Sequence, residues 1–378
     1  MTSLSRPSDA ELDRRMMAVA LRLGRRNLGR TGANPAVGAL IVQRDSGGPR
    51  IVGRGWTAIG GAPHAETEAL LEAGDGARGA TAYVTLEPCA HHGKTPPCAD
   101  ALVASGIARL VTTMTDPDSR VAGRGLAILK AAAIEVTNGV LEAEARIAHG
   151  AHIRRVTENR PWITLKLAIS ADGMIGRREG DRVMVSGPEA AGFVQALRTE
   201  HDSIMVGIGT VEADDPRLTS RSAIRVPSQA VRIVLDPYAR ISIDSKLVRS
   251  AGEVPLWLMV SNSADADRLA RLTAAGVITR QIAMGPTGLD LEEVFACLAE
   301  QGLSRVLVEG GAKLAAGLVT DDLLDEVVFI RAPSVIGPDG VPALDGKSLS
   351  AVDRSPRYAL VDDAFVGDDR LKRYVRVR

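Results

Sequence analysis

Between residues 64 and 98 the chain reads HAETEALLEAGDGARGATAYVTLEPCAHHGKTPPC. His64 and Glu66 stand one residue apart, Cys89 follows a proline, and Cys98 lies nine positions further on. Two thiolates and an imidazole hold zinc tetrahedrally and leave the fourth position to water. Few other residue sets in the chain restrict it as much. A fold that carries this stretch must bring His64, Cys89 and Cys98 to one point.

The local pattern around these residues suits that task. HAETEALLEAG is a helical stretch ended by Gly74, with His64 and Glu66 in its first turn. AYVTLEP is a strand that runs into Cys89. PPCADALVASG is a helix with Cys98 in its first turn, and prolines are tolerated at that end. Helix N-termini favour thiolates through their free amides and dipole. Bound zinc makes water acidic enough to ionise near neutral pH. Glu66 is not needed as a ligand, so it is the candidate for moving the water's proton to a leaving amine. The set follows the zinc-deaminase pattern H-x-E…P-C-x-x-C. It departs from that pattern in its cysteine gap, which is filled by AHHGKTPP. A competing reading is a structural zinc site built on Cys89 and Cys98 with His91 or His92.

Composition narrows the classes. There are 378 residues, enough for two domains. Lys+Arg and Asp+Glu both number 46, so net charge gives no footprint for nucleic acid or an anionic membrane. Aromatic residues are 3%, which argues against base-stacking platforms. Three cysteines (Cys89, Cys98 and Cys297) are not a disulfide framework. There is no apolar leader and no run long enough to span a bilayer, so reducing cytoplasm is the expected compartment. Cys297, on an amphipathic helix, is expected to be a small core residue.

Strands alternate with helices along the whole chain, which predicts α/β architecture. In the first half, residues 9–23 form a helix capped by Ser8 or Asp9. ALIV and IVGRGW form a hairpin, and LEAEARIAHGAHIRRVTENR forms one charged helix. Residues around 150–161 are the linker candidate, with Pro161 as punctuation. In the second half, WITLKLAIS, SIMVGIG, RIVLD, PLWLMVS, VITRQIAM, RVLVEGG, DEVVFIRAPSVIG and DDRLKRYVRVR are strands. SGPEAAGFVQALRTEH, ADADRLARLTAAG and LEEVFACLAEQG are helices, and TVEADDPRLTSR is a polar loop. In RVLVEGGAKLAAGL a buried strand turns through Gly310-Gly311 into a helix, a place where backbone amides can meet phosphate. A plain loop explains the same residues equally well, and G-x-G-x-x-G is absent.

HAE, TLEPCAHHGKTPPC, DPDSRVAGRG and NPAVGALIV together resemble the bifunctional deaminase/reductase of riboflavin biosynthesis. LKLAISADG, VGIGTVEADDPRLTSR and VEGGAKLAAGL are similar, in order and spacing, to its reductase half. The resemblance implies a cytidine-deaminase-like α/β/α sandwich over 1–155 and a dihydrofolate-reductase-like α/β domain over 156–378. It implies zinc-dependent hydrolytic deamination of 2,5-diamino-6-ribosylamino-4(3H)-pyrimidinone 5′-phosphate, then NADPH-dependent reduction of its ribosyl group to ribityl. Carried over by motif, Asn34, His91 and Lys94 lie near the pyrimidine or its phosphate. Ala168, Met184, Thr210, Asp214 and the turn Gly311, Ala312, Lys313, Leu314, Ala315, Ala316 and Gly317 contact NADPH. Arg182, Arg198, Leu218, Arg221 and Glu309 line the substrate, and Lys166 neighbours the reacting ribose. The proton donor for reduction is open between Asp214, Glu309 and Lys166.

Two departures touch the cofactor pocket. The family carries Trp where Met184 stands, and Gly-Ala-Ser-Leu-Asp-Gly where this chain has Ala168 to Gly173. A homo-oligomer is expected, with no nucleic-acid or membrane partner. The rival readings are a single-activity deaminase with a non-catalytic C-terminal half, and a nucleic-acid-binding module with structural zinc.

Overall fold

The computed structural model describes residues 8–91, 96–178, 183–221, 229–286 and 288–377. The chain divides into two compact units, Met1–Asn159 and Arg160–Arg378.

The first unit is built on α1 (Asp9–Gly24), β1 (Gly38–Asp45), β2 (Gly48–Trp56), α2 (Ala65–Ala73), β3 (Thr81–Val84), α3 (Cys98–Ala104), β4 (Arg109–Thr112), α4 (Arg124–Ala131), β5 (Glu135–Thr137), α5 (Glu142–Ala148) and α6 (Gly150–Glu158). Its sheet runs β2-β1-β3-β4-β5. The first two pairings are antiparallel and the last two parallel. Side chains of β1 alternate between two cores, as the strand period requires. Leu40 and Val42 join Met17 and Ala20 of α1. Ala39 and Ile41 join α2, α3 and α4 through Ala65, Ala69, Leu102 and Leu129. The result is the expected α/β/α sandwich.

Local signals set the helix ends. The Ser8 hydroxyl accepts the Glu11 amide and caps α1. Glycine lets α2 lie flat on β2, because a Cβ at Gly55 would stand 1.9 Å from the Ala65 carbonyl oxygen. That close approach fixes the helix that begins beside His64.

Two expectations change here. The charged stretch after residue 140 is two helices, α5 and α6, that meet at His149. The linker candidate 150–161 is largely occupied by α6, whose Ala151 and Ile153 are buried.

The second unit contains β6 (Trp162–Ile169), β7 (Met174–Arg177), α7 (Pro188–Thr199), β8 (Ser203–Gly207), α8 (Ile208–Asp214), β9 (Val231–Leu235), α9 (Lys246–Arg249), β10 (Leu256–Val260), α10 (Ala266–Ala274), β11 (Ile278–Gln281), β12 (Met284–Gly285), β13 (Gly288–Leu289), α11 (Leu291–Glu300), β14 (Arg305–Glu309), α12 (Ala312–Thr320), β15 (Glu326–Arg331), β16 (Gly340–Pro342), α13 (Ser350–Asp353), β17 (Tyr358–Val366) and β18 (Asp369–Arg376). The main sheet runs β11-β10-β9-β8-β14-β6-β15-β18-β17. Its strands are parallel from β11 to β15, and β18 and β17 add antiparallel at one edge. One face packs on α11 and α12 through Phe295, Leu298 and Leu318. The other packs on α7 to α10 through Val194, Val211, Leu247 and Leu272. Cys297 is half-buried and packs against the first of these cores.

The stretch read as a polar loop starts as helix: α8 covers Ile208–Asp214 because Val211 reaches the core. The sequence does not predict strands β7, β13, β16 and β17. β17 is almost wholly exposed, so it lacks the alternation that reveals a half-buried strand. No described helix is long and apolar enough to cross a membrane.

Candidate metal and reductase sites

In the first unit three junctions converge. His64 is the N-cap of α2 and Cys98 is the first residue of α3, whereas Cys89 stands in an irregular segment because β3 ends earlier than expected, at Val84. Nδ1 of His64 lies 3.6 Å from the Cys89 sulfur and 3.3 Å from the Cys98 sulfur. All three ligand atoms lie within 4.8 Å of one another. Tetrahedral bonds to one nitrogen and two sulfurs imply nitrogen–sulfur separations of roughly 3.6 Å. The donor set and its spacing therefore fit zinc.

The sulfurs are unequal. The Cys98 amide donates to the Cys89 sulfur at 3.3 Å. Side-chain hydrogen bonding from Cys98, and then from His64, holds the Cys89 thiol below its ordinary value against burial. The Cys98 thiol is raised, first by its side-chain hydrogen bond with Cys89 and then by burial. Glu66 is buried in the first turn of α2. Burial pushes its carboxyl up to about 7, against the pull of its own backbone amide and the His64 ring.

Asn34 is exposed, and its side chain lies against Gly61, where a Cβ would stand 2.0 Å from Nδ2. His91 is exposed. Lys94 lies outside the described residues.

A buried polar layer, not expected from the sequence, adjoins His64, Cys89 and Cys98. Glu87 and Asp116 are buried. His152 donates to Asp116 at 2.8 Å, and His149 donates to the Thr85 carbonyl at 2.5 Å. Desolvation holds His149 down at about 4. TLEPC and DPDSR contain three of these residues (Thr85, Glu87 and Asp116), but nothing in the string says which backbone amides they meet.

In the second unit, sheet order gathers the carboxyl ends of β6, β14 and β8. Lys166 of β6 pairs in register with Glu309 of β14. Arg198 of α7 grips the Glu309 carboxylate with Nε at 2.7 Å and Nη2 at 2.6 Å, and its Nη1 donates to the Thr219 carbonyl at 2.8 Å. Burial alone would raise Glu309, but Arg198 outweighs it and the carboxyl is lowered. Burial lowers the Lys166 amine, with Glu309 opposing and Arg198 adding to the shift. Gly310 and Gly311 have φ of +79° and +85°, and Cβ atoms there would face the Thr210 hydroxyl at 3.8 and 3.4 Å. The glycine turn before α12 thus lies against the start of α8.

The remaining residues of the expected set are more dispersed. Ala168 is half-buried near the end of β6, and Asp214 ends α8. Lys313 and Leu314 lie in the first turn of α12, with Lys313 exposed. Ala312, Ala315 and Ala316 are buried, and Gly317 follows them along the same helix. The Leu218 side chain sits in the core at φ +50°. Arg221 is exposed, and its amide is held by Gln195. Met184 is 69% exposed. Arg182 lies outside the described residues. Asp172, unassigned by sequence, accepts the Ile336 and Gly337 amides at 3.1 and 2.8 Å, which ties the loop after β15 to the turn after β6.

Comparison with known proteins joins the two halves. The family model described as "Cytidine and deoxycytidylate deaminase zinc-binding region" matches residues 10–114. The model described as "RibD C-terminal domain" matches residues 161–362. The riboflavin biosynthesis protein RibD of Escherichia coli is 38% identical over 370 residues, covering 94% of this chain and 97% of that protein. Its counterpart from Aquifex aeolicus is 35% identical, covering 86% and 88%. RibD of Acinetobacter baumannii (form 2) superposes with a TM-score of 0.82 at 33% identity, covering 98% of this chain and 100% of that chain. A Thermotoga maritima structure described as a diaminohydroxyphosphoribosylaminopyrimidine deaminase/5-amino-6-(5-phosphoribosylamino)uracil reductase also gives 0.82, at 30% identity and the same coverage. The chain belongs to the RibD family.

Proposed function

We propose that this chain performs two consecutive steps of riboflavin biosynthesis. It deaminates a phosphorylated diaminopyrimidine and then reduces the ribosyl group of the product to ribityl. The substrate of the first step is 2,5-diamino-6-ribosylamino-4(3H)-pyrimidinone 5′-phosphate. Deamination belongs to the first unit and reduction to the second. The observation that carries the reading is the convergence of His64, Cys89 and Cys98 beside the buried carboxyl of Glu66.

In the deaminase, His64, Cys89 and Cys98 hold zinc, which when bound supplies Lewis-acid activation of water. Glu66 takes a proton from the attacking water and returns it to the departing amine, so ammonia leaves neutral. The enclosed position of Glu66 keeps its proton from bulk water. Asn34 orients the pyrimidine, and His91 and Lys94 meet its ring or its phosphate.

In the reductase, NADPH supplies the hydride when bound, and the chain supplies position and charge. Thr210, Asp214, Ala168, Met184 and the turn from Gly311 to Gly317 form its cradle. Amides at the start of α12 suit its phosphates. Arg182, Arg198, Leu218, Arg221 and Glu309 border the substrate. Glu309 is committed to Arg198, so Lys166 is the better proton donor to the opening ribose. Its lowered amine releases a proton more readily than an exposed lysine.

The single-activity alternative is not favoured, because the match to the RibD C-terminal domain spans residues 161–362. The protein works in the cytoplasm as a homo-oligomer and uses neither nucleic acid nor membrane. The test is zinc content plus a two-stage assay on one preparation. Ammonia release without NADPH oxidation on the deaminated product would return the single-activity reading.

A further inference from the structure

Glu87 is 3% exposed. Its two carboxylate oxygens accept four backbone amides. Oε2 takes Asp116 at 3.1 Å and Gly123 at 2.9 Å, and Oε1 takes Gly125 at 2.9 Å and Leu126 at 3.3 Å. Three of these amides belong to the cap and first turn of α4, where no intrahelical carbonyl can accept them. The same segment presses on the next residue: a Cβ at Gly125 would lie 2.0 Å from the Pro88 carbonyl oxygen. The far end of the segment is pinned in turn. Asp116 accepts the Asp118 amide at 2.9 Å and the His152 ring at 2.8 Å. Glu87 and Pro88 are therefore held from both sides, and Cys89 follows immediately.

We infer that Glu87 is a positioning residue of the metal centre. Its carboxylate clamps the segment from Asp116 to Leu126 against Pro88 and so fixes where the Cys89 sulfur stands. This rests on the reading of His64, Cys89 and Cys98 as metal ligands. The fit of the site depends on separations of a few ångströms between three atoms carried by three separate junctions. Cys89 belongs to neither a helix nor a helix cap, unlike Cys98 and His64, so its backbone position rests on tertiary contacts. A carboxylate serves because it is acceptor-only, whereas a Gln would place an NH2 against amide donors. Partners in the shell behind metal ligands typically govern about 10–100-fold in metal affinity.

The experiment is chelator competition for zinc on the full chain, with thermal scans of metal-free and zinc-loaded protein. Glu87→Gln and Gly125→Ala are compared. The second keeps the carboxylate, pushes on Pro88 and strains the Gly125 amide's bond to it, and serves where the first fails to fold. Both are expected to weaken zinc by about 10–100-fold and to shrink the rise in melting temperature that zinc produces. Hydrogen exchange at the four amides should quicken in Glu87→Gln. Wild-type zinc affinity in either folded variant overturns the inference, even if the metal-free protein melts lower, because Glu87 then only supports α4. Cys98→Ser is measured alongside. If that variant keeps wild-type zinc affinity, the ligand reading itself fails, independently of Glu87.

Discussion

The two sites are assembled in opposite ways. The three residues placed to hold a metal fall between residues 64 and 98, and short elements carry each to one point. The residues at the carboxyl ends of β6, β8 and β14 are far apart in sequence and meet only because the sheet places these strands side by side. The first site is a soft donor set around one point. The second is a charged arrangement in which Arg198, Glu309 and Lys166 balance one another. Loss of one member should therefore act in all-or-none fashion in the first and by degrees in the second.

The largest expected effect lies beside the first donor set and leaves that set whole. Glu66→Gln keeps the shape of the site and removes the buried carboxyl proposed to carry the proton. Deamination should fall about 10²–10⁴-fold, with zinc content unchanged by metal analysis and with NADPH oxidation on deaminated substrate unchanged. Retained deamination would remove Glu66 from the mechanism.

Arg198→Ala comes next. It strips the partner from a buried carboxylate and also releases the Thr219 carbonyl. Breaking a buried pair by removing one member costs about 3–5 kcal/mol. The second unit should melt earlier and reduction should fall, while ammonia release persists at temperatures where both units are folded. A parallel loss of deamination would show that the two sites are not separable in this way.

Acid should weaken both units through buried groups outside the expected site residues. His149 and His201 are buried, and desolvation holds both down at about 4 against an ordinary 6.5. The unfolded chain binds their protons first, so stability present above pH 6.5 is lost as pH falls towards 4. Burial alone would raise Glu326, but Arg373 and Arg305 outweigh it and hold the carboxyl at about 2. Its contribution is present above pH 4.5 and is lost as pH falls towards 2. Melting temperatures in a pH series should therefore decline from about 6.5 downward. His201→Gln should flatten the upper part of the decline, and an unchanged profile would assign the loss to other groups.

How much could be read from the string follows the same division. HAE, LEPC and the second cysteine were legible because the chemistry depends on residue types at short spacing. The α/β pattern was legible because apolar runs alternate with helical periodicity. α8 was missed because a short helix with one buried valine does not outweigh DDP nearby. The break at His149 was missed because the charged periodicity continues across it. The Glu87 clamp and the Asp172 clasp were invisible for a different reason. Each carboxylate bonds backbone amides, and amides carry no residue identity, so the partners appear only once the loops are folded.

Met184→Trp should have the smallest effect and is the sharpest probe of the less legible site. Met184 is 69% exposed, so a larger side chain there meets little protein, and stability should change by less than about 0.5 kcal/mol. Tryptophan offers a broad planar face that can cover a flat cofactor ring, which methionine does with less area. The expected outcome is a two- to tenfold lower KM for NADPH, roughly 1 kcal/mol of binding, with kcat for reduction and the rate of ammonia release unchanged. A lower kcat with the same KM would mean that Trp hinders approach of the ribosyl group, placing position 184 on the substrate side. No change in either would take the position out of the cofactor cradle and leave the rest intact. His64, Cys89 and Cys98 allow no such removal if they are the ligands, because a three-residue donor set has no spare member.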